Sequence, residues 1–157
     1  MKSSLFKLIP ILAWALLPAA AFADGPGVLK LDEESFEVSE DAGVAVIRVE
    51  RSQGEDGAVS VQYGTSNGTA VAGQDYTAVS GTLSWASGDG SDRTFTVPIL
   101  DDAAAEGSET FQIALSGATG GAAIDSERGT TTVWILANDG GSGGGGGNGG
   151  DDDPDDD

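Results

Sequence analysis

The sequence predicts an all-β domain in which two antiparallel sheets pack face to face. Apolar residues recur with a period of two rather than 3.6, so each run has one apolar face. Gly, Asp, Asn and Ser bound these runs and supply turns. No 11-residue window carries a sustained helical stripe. Short strands with one apolar face each bury those faces most economically in a β-sandwich.

Six strands follow directly from the alternation. The runs are residues 45–49, 59–63, 83–85, 95–99, 111–115 and 133–135. A further strand near the start brings the total to about seven. The long connections 66–79 and 117–129 suit Greek-key crossings better than tight hairpins. Pro98 interrupts the fourth run and has no N–H to donate, so we expect it on a sheet edge or facing outward.

Residues 1–23 have the features of a secretory signal peptide. Lys2 and Lys7 give a basic start, residues 8–17 form an apolar run, and Ala21-Phe22-Ala23 is a small-x-small cleavage site. A membrane anchor is the alternative, but the apolar stretch 8–23 is short for a span. We expect cleavage, no membrane span in the mature chain, and secretion to the periplasm, the cell surface or the medium.

The rest of the chain divides into three parts. Residues 24–139 form the predicted domain. Residues 140–150 contain only Gly, Ser and Asn, a composition typical of a flexible linker. Residues 151–157 are six aspartates around Pro154, and such a run of like charges is expected to stay disordered.

Composition excludes several functions. The chain has no cysteine and no histidine, which removes thiolate and imidazole metal sites and both Ser-His and Cys-His catalysis. The formal charge of −19 repels phosphate backbones, so nucleic acid is a poor partner. Carboxylate chemistry remains, but a small sandwich offers little material for a catalytic cleft. We therefore expect a protein that is not an enzyme.

The acidic residues fall where strands begin and end. In a sandwich of alternating strands, the end of one strand and the start of the next meet at the same pole. Crowded carboxylates must protonate, separate or enclose a cation, and an all-oxygen site of irregular geometry favours calcium. The alternative is that these acids decorate turns, where Asp is common. Strand order places Asp101, Asp102, Glu106 and Asp139 at one pole. The acids that lie at strand ends or in loops are Glu40, Asp41, Asp75, Asp101, Asp102, Glu106, Glu109 and Asp139.

Five local patterns resemble the Calx-beta domain family. Over residues 28–139, in order and with the usual spacing, the chain is similar to the family's opening strand and turn, its most distinctive segment, the strand that follows, its acidic turn and its closing strand. The corresponding segments here are FEVSEDAG from Phe36, GTAVAGQDY from Gly68, GTLSW from Gly81, VPILDD from Val97 with EGSETF from Glu106, and TVWILAND from Thr132.

This resemblance implies an immunoglobulin-like sandwich with calcium held by loops at one pole. Carried over by position, the implied ligands are Glu40, Asp75, Asp101, Asp102, Glu106 and Asp139, with Asn138 offering a carbonyl oxygen. Ala137 replaces an acid of the family's closing run, so we expect one or two ions. Glu109 lies near the site and is a secondary candidate.

Two functions remain open from the sequence. The first is a secreted, calcium-binding interaction or adhesion module, whose partners are calcium ions and possible further ligands such as another protein or a surface polysaccharide. The second is a structural surface domain whose acids are solvated and hold no ion. Trp85 and Trp134 are expected to pack in the core or on a sheet face rather than to stack on a ligand.

Overall fold

The computed structural model describes residues 25–138. Every run predicted from the alternation is a strand, and the structure has three further short strands. A 3-10 helix over Glu40–Ala42 separates the second and third strands. The strands are β1 (Val28–Leu31), β2 (Ser35–Ser39), β3 (Val44–Ser52), β4 (Val59–Asn67), β5 (Ser80–Trp85), β6 (Arg93–Pro98), β7 (Glu109–Ser116), β8 (Ala123–Ile124) and β9 (Thr130–Leu136).

The strands form two sheets that enclose one core. The first sheet has the order β6-β3-β1-β8, and the second has the order β2-β9-β7-β4-β5. This confirms the all-β, immunoglobulin-like sandwich. The sheets are mixed rather than purely antiparallel, because β1 pairs parallel to β8 and β2 pairs parallel to β9.

The parallel pairing of β2 with β9 arises because the N-terminal part of the domain contributes one strand to each sheet, β1 to the first and β2 to the second. β1 lies beside β3 in the first sheet, and the chain then crosses at residues 32–34 to the second sheet. There β2 runs alongside the closing strand, with Phe36 opposite Val133. A connection of three residues is enough because the crossing joins sheets, not neighbouring strands of one sheet. The sequence alternation shows where strands lie but not which sheet each one joins.

Pro98 ends β6, and β6 is an edge strand of its sheet, as predicted. The ladder pairs Val44 with Pro98, and the N–H of Ile99 donates to the carbonyl of Gly43 at 3.0 Å. Hydrogen-bonded pairs alternate along an antiparallel ladder, so the imide nitrogen of Pro98 points away from β3. The missing donor therefore removes no bond between the two strands.

The core contains the inward residues of both sheets. Tyr63 stacks on Phe95 between the sheets with ring centroids 3.8 Å apart, and Tyr76 stacks on Phe111 at 4.2 Å. Trp85 is buried, and its indole N–H donates to the carbonyl of Ser91 at 2.6 Å. Trp134 lies on the outer face of β9 and is 43% exposed. Both tryptophans thus occupy the sheet positions that their alternation predicts.

No helix within residues 25–138 has the length and apolar character needed to cross a membrane. The predicted signal peptide, the glycine-rich linker and the acidic tail all lie outside the described residues and stay predictions.

Candidate metal centre

Three elements bring acidic side chains together at one pole of the sandwich. Glu40 follows β2, whose last residue Ser39 pairs with Leu136 at the end of β9. Glu109 begins β7 and pairs with Ile135 on the same strand β9. Asp75 lies in the connection between β4 and β5. Because β9 borders both β2 and β7, the first two acids are held at one level by strand register.

The Asp75 loop is tied down by its own hydrogen bonds. The carboxylate oxygen Oδ2 of Asp75 accepts the N–H of Val71 at 2.7 Å. The side-chain oxygen of Asn67 accepts the N–H of Ala72 at 3.0 Å and the hydroxyl of Tyr76 at 2.8 Å. Tyr76 is fully buried against Phe111. These bonds hold Asp75 and the loop around it in a fixed position.

A glycine allows this loop to press against β7. A Cβ at Gly68 would lie 2.5 Å from the carbonyl oxygen of Thr110, far inside van der Waals contact. The N–H of Ala70 donates to that same carbonyl at 2.8 Å. Asp75 is thereby carried next to Glu109, the neighbour of Thr110. The backbone N–H of Leu100 also donates to the carbonyl of Asp75 at 2.9 Å, which joins the loop to the end of β6.

Glu109 faces inward because it continues the apolar alternation of β7. Phe111, Ile113 and Leu115 are buried at every second position, and Glu109 has the same parity. The alternation along β7 therefore indicates that Glu109 points inward, although the family resemblance gave it only as a secondary candidate for a metal ligand. An inward glutamate at the end of a core-facing row places its carboxylate at the mouth of the sandwich.

The four carboxylates form what we call the acidic cluster: Glu40, Asp75, Glu106 and Glu109. One carboxylate oxygen from each of Asp75, Glu106 and Glu109 lies within 4.8 Å of the other two. Glu40 is buried, at 7% exposure, and lines the same small cavity. This cavity has a volume of about 10 Å³, which is room for a single water-sized particle.

Burial and like charge disturb the ionisation of the cluster. Desolvation raises the pKa of Glu109, and a hydrogen bond with Asp75 raises it further. The negative charges of Asp75, Glu106 and Glu40 act in the same direction. A raised carboxyl pKa means that the site favours a positive charge, either a proton or a metal ion, among its oxygens.

No basic side chain within residues 25–138 forms an ion pair with Asp75, Glu106 or Glu109. The described cations have other partners. Lys30 pairs with Glu50, Arg48 with Asp32 and Asp92, and Arg93 with Asp89. Because these basic side chains pair with other acids, Asp75, Glu106 and Glu109 have no ion-pair partner within the described part of the chain.

Asp101, Asp102 and Asn138 do not line this cavity. The amide of Asn138 donates to Asp101 at 3.2 Å, so the end of β9 and the end of β6 do meet. Asp102 accepts the N–H of Ala104 at 2.6 Å in a local turn and is exposed. The structure therefore joins Glu40, Asp75 and Glu106 with Glu109, and places Asp101 beside Asn138. Asp139 lies outside the described residues.

The donor set suits calcium. All donors are carboxylate oxygens, they come from separate loops and strand ends, and Glu106 on an exposed loop can move to adjust its distance. Calcium takes six to eight oxygens at about 2.3–2.6 Å and tolerates irregular geometry. Four carboxylates can supply most of these oxygens. Softer metals prefer the thiolate and imidazole ligands that this sequence lacks.

Fold and cluster together define an immunoglobulin-like sandwich with an acidic pole. Residues 23–139 match the model of the Calx-beta domain, which is most of the chain. The chain therefore belongs to the Calx-beta domain family, a family of binding and interaction domains.

Proteins with related sequences and solved structures agree with this assignment. The adhesion G-protein coupled receptor V1 of Danio rerio is 35% identical over 113 residues, which are 72% of this chain and 2% of the receptor. The apo-form Calx CBD1 domain superposes with a TM-score of 0.68 at 30% identity, covering 71% of this chain and 97% of that one.

A second solved structure contains a longer piece of Calx. The calcium binding domain CBD12 of CALX1.1 has a TM-score of 0.66 at 31% identity, covering 71% of this chain and 44% of that one. The present chain thus spans nearly all of one solved domain, under half of CBD12, and a very small part of the receptor.

Proposed function

We propose that this protein is a calcium-binding Calx-beta module. The observation that carries the proposal is the acidic cluster, in which carboxylate oxygens from three separate segments surround one ion-sized cavity. A divalent cation there would neutralise charges that otherwise repel one another. The relative CBD12 of CALX1.1 is described as a calcium binding domain, and its similarity supports the same ligand here.

The proposed first ion is held by Glu40, Asp75, Glu106 and Glu109. Asp75 is positioned in advance by its bond from Val71, and Glu109 by strand register. Glu106, on the exposed loop before β7, would close over the ion. A second ion would use the predicted ligands Asp101, Asp102, Asn138 and Asp139, which follow the adjacent ends of β6 and β9.

Calorimetric titration of the full-length protein with calcium chloride tests this proposal. We expect saturable binding of one or two ions, with a dissociation constant near the 10⁻⁴–10⁻³ M that is common for extracellular modules. Asp75→Asn removes a central charge and should weaken binding at least about tenfold. Glu37→Gln, on the exposed face of β2, is the matched control and should leave the isotherm unchanged.

Absence of saturable heat at millimolar calcium would refute the proposal, as would equal binding by the Asp75→Asn and Glu37→Gln proteins. Magnesium in the same titration distinguishes a selective calcium site from a diffuse cation atmosphere. Loss of the second binding event alone in Asp101→Asn would assign that residue to a second ion.

One observation favours the alternative of a structural domain without an ion. The hydrogen bond between Glu109 and Asp75 requires a proton shared by two carboxyl groups, and a proton can replace a metal in relieving repulsion. Under this alternative the cluster would take up a proton above the ordinary carboxyl range, because burial and the neighbouring acids raise the pKa of Glu109, and calcium would have no effect on stability.

We further propose that the module is exported and acts in interaction or adhesion. The signal-peptide features of residues 1–23 support export. The similarity to a small part of an adhesion receptor supports the second role. Mass spectrometry of protein released by the producing cell should give an N-terminus at Asp24, and an intact residue 1 would contradict export by cleavage.

A further inference from the structure

Half of β3 has no neighbouring strand on one side within residues 25–138. β1 pairs with β3 from Val28 opposite Ser52 to Leu31 opposite Val49, and the last bond runs from the N–H of Asp32 to the carbonyl of Arg48 at 3.1 Å. The chain then crosses to the other sheet. Beyond that point, residues 44–47 of β3 have β6 on one side, and no strand within residues 25–138 on the other.

The free side of β3 presents backbone hydrogen-bonding groups. The bond between Ile99 and Gly43 shows that the odd-numbered residues of β3 direct their backbone N–H and carbonyl groups to β6. Val44 and Val46 therefore direct their N–H and carbonyl groups to the opposite side, as Arg48 does. Had β1 continued in register, residues 34 and 36 would lie opposite Val46 and Val44. The crossing to β2 leaves these positions without a strand of residues 25–138.

A cavity of about 400 Å³ opens at this edge. Leu31, Phe36 and Ile47 line its inner part, which reaches between the two sheets. Val46 and Arg48, on the outer face of β3, line its mouth. Thr131, which is 3% exposed, also lines the cavity, and its hydroxyl has no hydrogen-bond partner within residues 25–138. The cavity therefore combines an apolar interior with an unused hydroxyl.

The two edges of the same sheet, β6 and β8, are protected in ways that this side of β3 is not. Natural sheets blunt their edges with proline, charge or very short strands. The outer edge of β6 carries Pro98, whose carbonyl already accepts the N–H of Thr77, and β8 has two residues. On β3, by contrast, Val44 is 47% exposed and Val46 is 53% exposed. A bare, apolar, hydrogen-bonding edge beside a deep cleft is a typical site for an added strand.

We propose that this edge binds an extended peptide segment of another protein, which adds a strand beside residues 44–47 of β3. The peptide would exchange main-chain hydrogen bonds with Val44 and Val46. Its inward side chains would be large and apolar and would fill the cleft beside Phe36. This inference goes beyond calcium binding and does not depend on it.

Charge indicates the chemistry of the remaining peptide residues. Glu33 lies at the mouth of the cleft and forms no ion pair within residues 25–138. Acidic residues outnumber basic ones in the chain by 26 to 7. A segment that alternates apolar residues with lysine or arginine therefore matches both the cleft and its surroundings.

The same charge argues against two other occupants. A second copy of this chain would bring another formal charge of −19 to the interface. The C-terminal residues 140–157 contain aspartate, glycine, serine, asparagine and one proline, so they offer no large apolar side chain for the cleft. Residues 1–23 do contain lysines and large apolar side chains, but they are the predicted signal peptide and we expect them to be removed. The occupant we propose is therefore a basic, apolar segment from a different protein.

A capped synthetic hexapeptide, Lys-Val-Lys-Phe-Lys-Val, is a direct probe. It is titrated into the isotopically labelled full-length protein at constant calcium while amide resonances are recorded. We expect saturable shifts centred on Val44, Val46 and Phe36. A scrambled peptide of the same composition, in which the alternation is broken, should bind at least about fivefold more weakly. Shifts confined to the acidic cluster, or none at about 1 mM peptide, would overturn the proposal.

Two further measurements separate strand addition from simple charge attraction. N-methylation of alternate peptide amides removes the ladder donors and leaves the protein unchanged, and it should weaken binding about tenfold or more. Glu33→Lys should weaken the lysine peptide about two- to fivefold and strengthen a glutamate version of it. Glu55→Lys, exposed near the other end of β3, is the matched control. Equal binding by the N-methylated peptide would exclude strand addition.

Discussion

The two poles of the sandwich meet the same electrostatic problem in different ways. β3 runs from one pole to the other, with the acidic cluster near Val44 and Arg51 near its far end. At the far pole, backbone carbonyls from three loops converge. Arg51 is 5% exposed and donates five hydrogen bonds, at 3.0–3.1 Å, to the carbonyls of Pro26, Asp56, Gly57, Ala86 and Asp89.

At the acidic pole the converging oxygens are carboxylates, and no cation of residues 25–138 pairs with Asp75, Glu106 or Glu109. The comparison shows that one pole has its own cation among the converging oxygens, whereas the other gathers the carboxylates of Asp75, Glu106 and Glu109, which have no basic partner within residues 25–138. The far pole, around Arg51, should therefore keep its stability whether calcium is present or absent. The stability of the acidic pole should change with calcium and with pH, which makes it the pole where regulation can act.

Replacing Arg51 should produce the largest effect. Arg51→Met leaves five carbonyls without their donor in a buried place, and we expect the free energy of unfolding to fall by about 3–5 kcal/mol. Urea denaturation measures the change. Arg51→Lys keeps the positive charge and should recover only part of the lost stability, because an ammonium group cannot donate to carbonyls of three loops at once.

The Arg48→Met variant controls for charge on the same strand. Arg48 is half exposed, and its pairs with Asp32 and Asp92 lie at the surface, so its loss should be much smaller. If the Arg51 and Arg48 variants were equally stable, the far pole would not depend on its internal cation. Calcium should not rescue either variant.

Calcium should produce the next largest effect, and only at the acidic pole. At free calcium of 100 times the dissociation constant, binding stabilises the native state by about 2.7 kcal/mol. For a domain of this size, that corresponds to a rise in melting temperature of roughly 8–15 °C. Melting curves in calcium and in chelator measure it. The shift should persist in Arg48→Met and fall to about half or less in Asp75→Asn.

Glu109→Gln should have opposite effects with and without calcium. In chelator, removing one carboxylate relieves the repulsion that raises the pKa of Glu109, so stability should rise by less than about 1 kcal/mol. In calcium, the lost ligand should reduce the stabilisation by the ion. A fall in stability in chelator would mean that Glu109 is held by an attractive contact instead.

The pH dependence should give the smallest and most specific signal. Burial, the Asp75 hydrogen bond and neighbouring negative charge raise the pKa of Glu109 above its ordinary 4.5. Between 4.5 and that raised value, the native state binds a proton that the unfolded chain does not. In chelator, stability should therefore increase as pH falls through this window. In calcium it should decrease, because protons displace the ion.

A different carboxyl dominates below that window. The hydroxyl and backbone N–H of Ser91, with Arg93, lower the pKa of Asp89 to about 2. A lowered carboxyl pKa stabilises the native state above 3.8, and this contribution is lost as pH falls toward 2. Denaturation measured from pH 7 to pH 2 should thus show opposite slopes above and below about pH 4. An Asp89→Asn variant should have a shallower lower slope and an unchanged upper one, because the lowered pKa values of Asp32 and Asp125 still contribute below pH 4.

Much of the fold follows from alternation, since a period of two marks each strand and its buried face. The same parity, read one step further, places Arg51 with Ala45, Ile47 and Val49, and Glu109 with Phe111. Both inward charges were therefore open to prediction. Arg51 was missed, and Glu109 was given only as a secondary candidate, because charged residues at strand ends are usually solvated and parity alone does not show whether a partner is present.

The sequence by itself determined seven of the nine described strands, the family and the gathering of acids near one pole, because these depend on local alternation and on order along the chain. Only the tertiary structure decided that β2 joins β9, that Glu109 completes the acidic cluster while Asp101 and Asp102 lie outside its cavity, and that half of β3 has a free edge within the described chain. The physical reason is that sheet membership and side-chain distances of a few ångströms depend on how distant segments pack, and packing is a property of the whole chain.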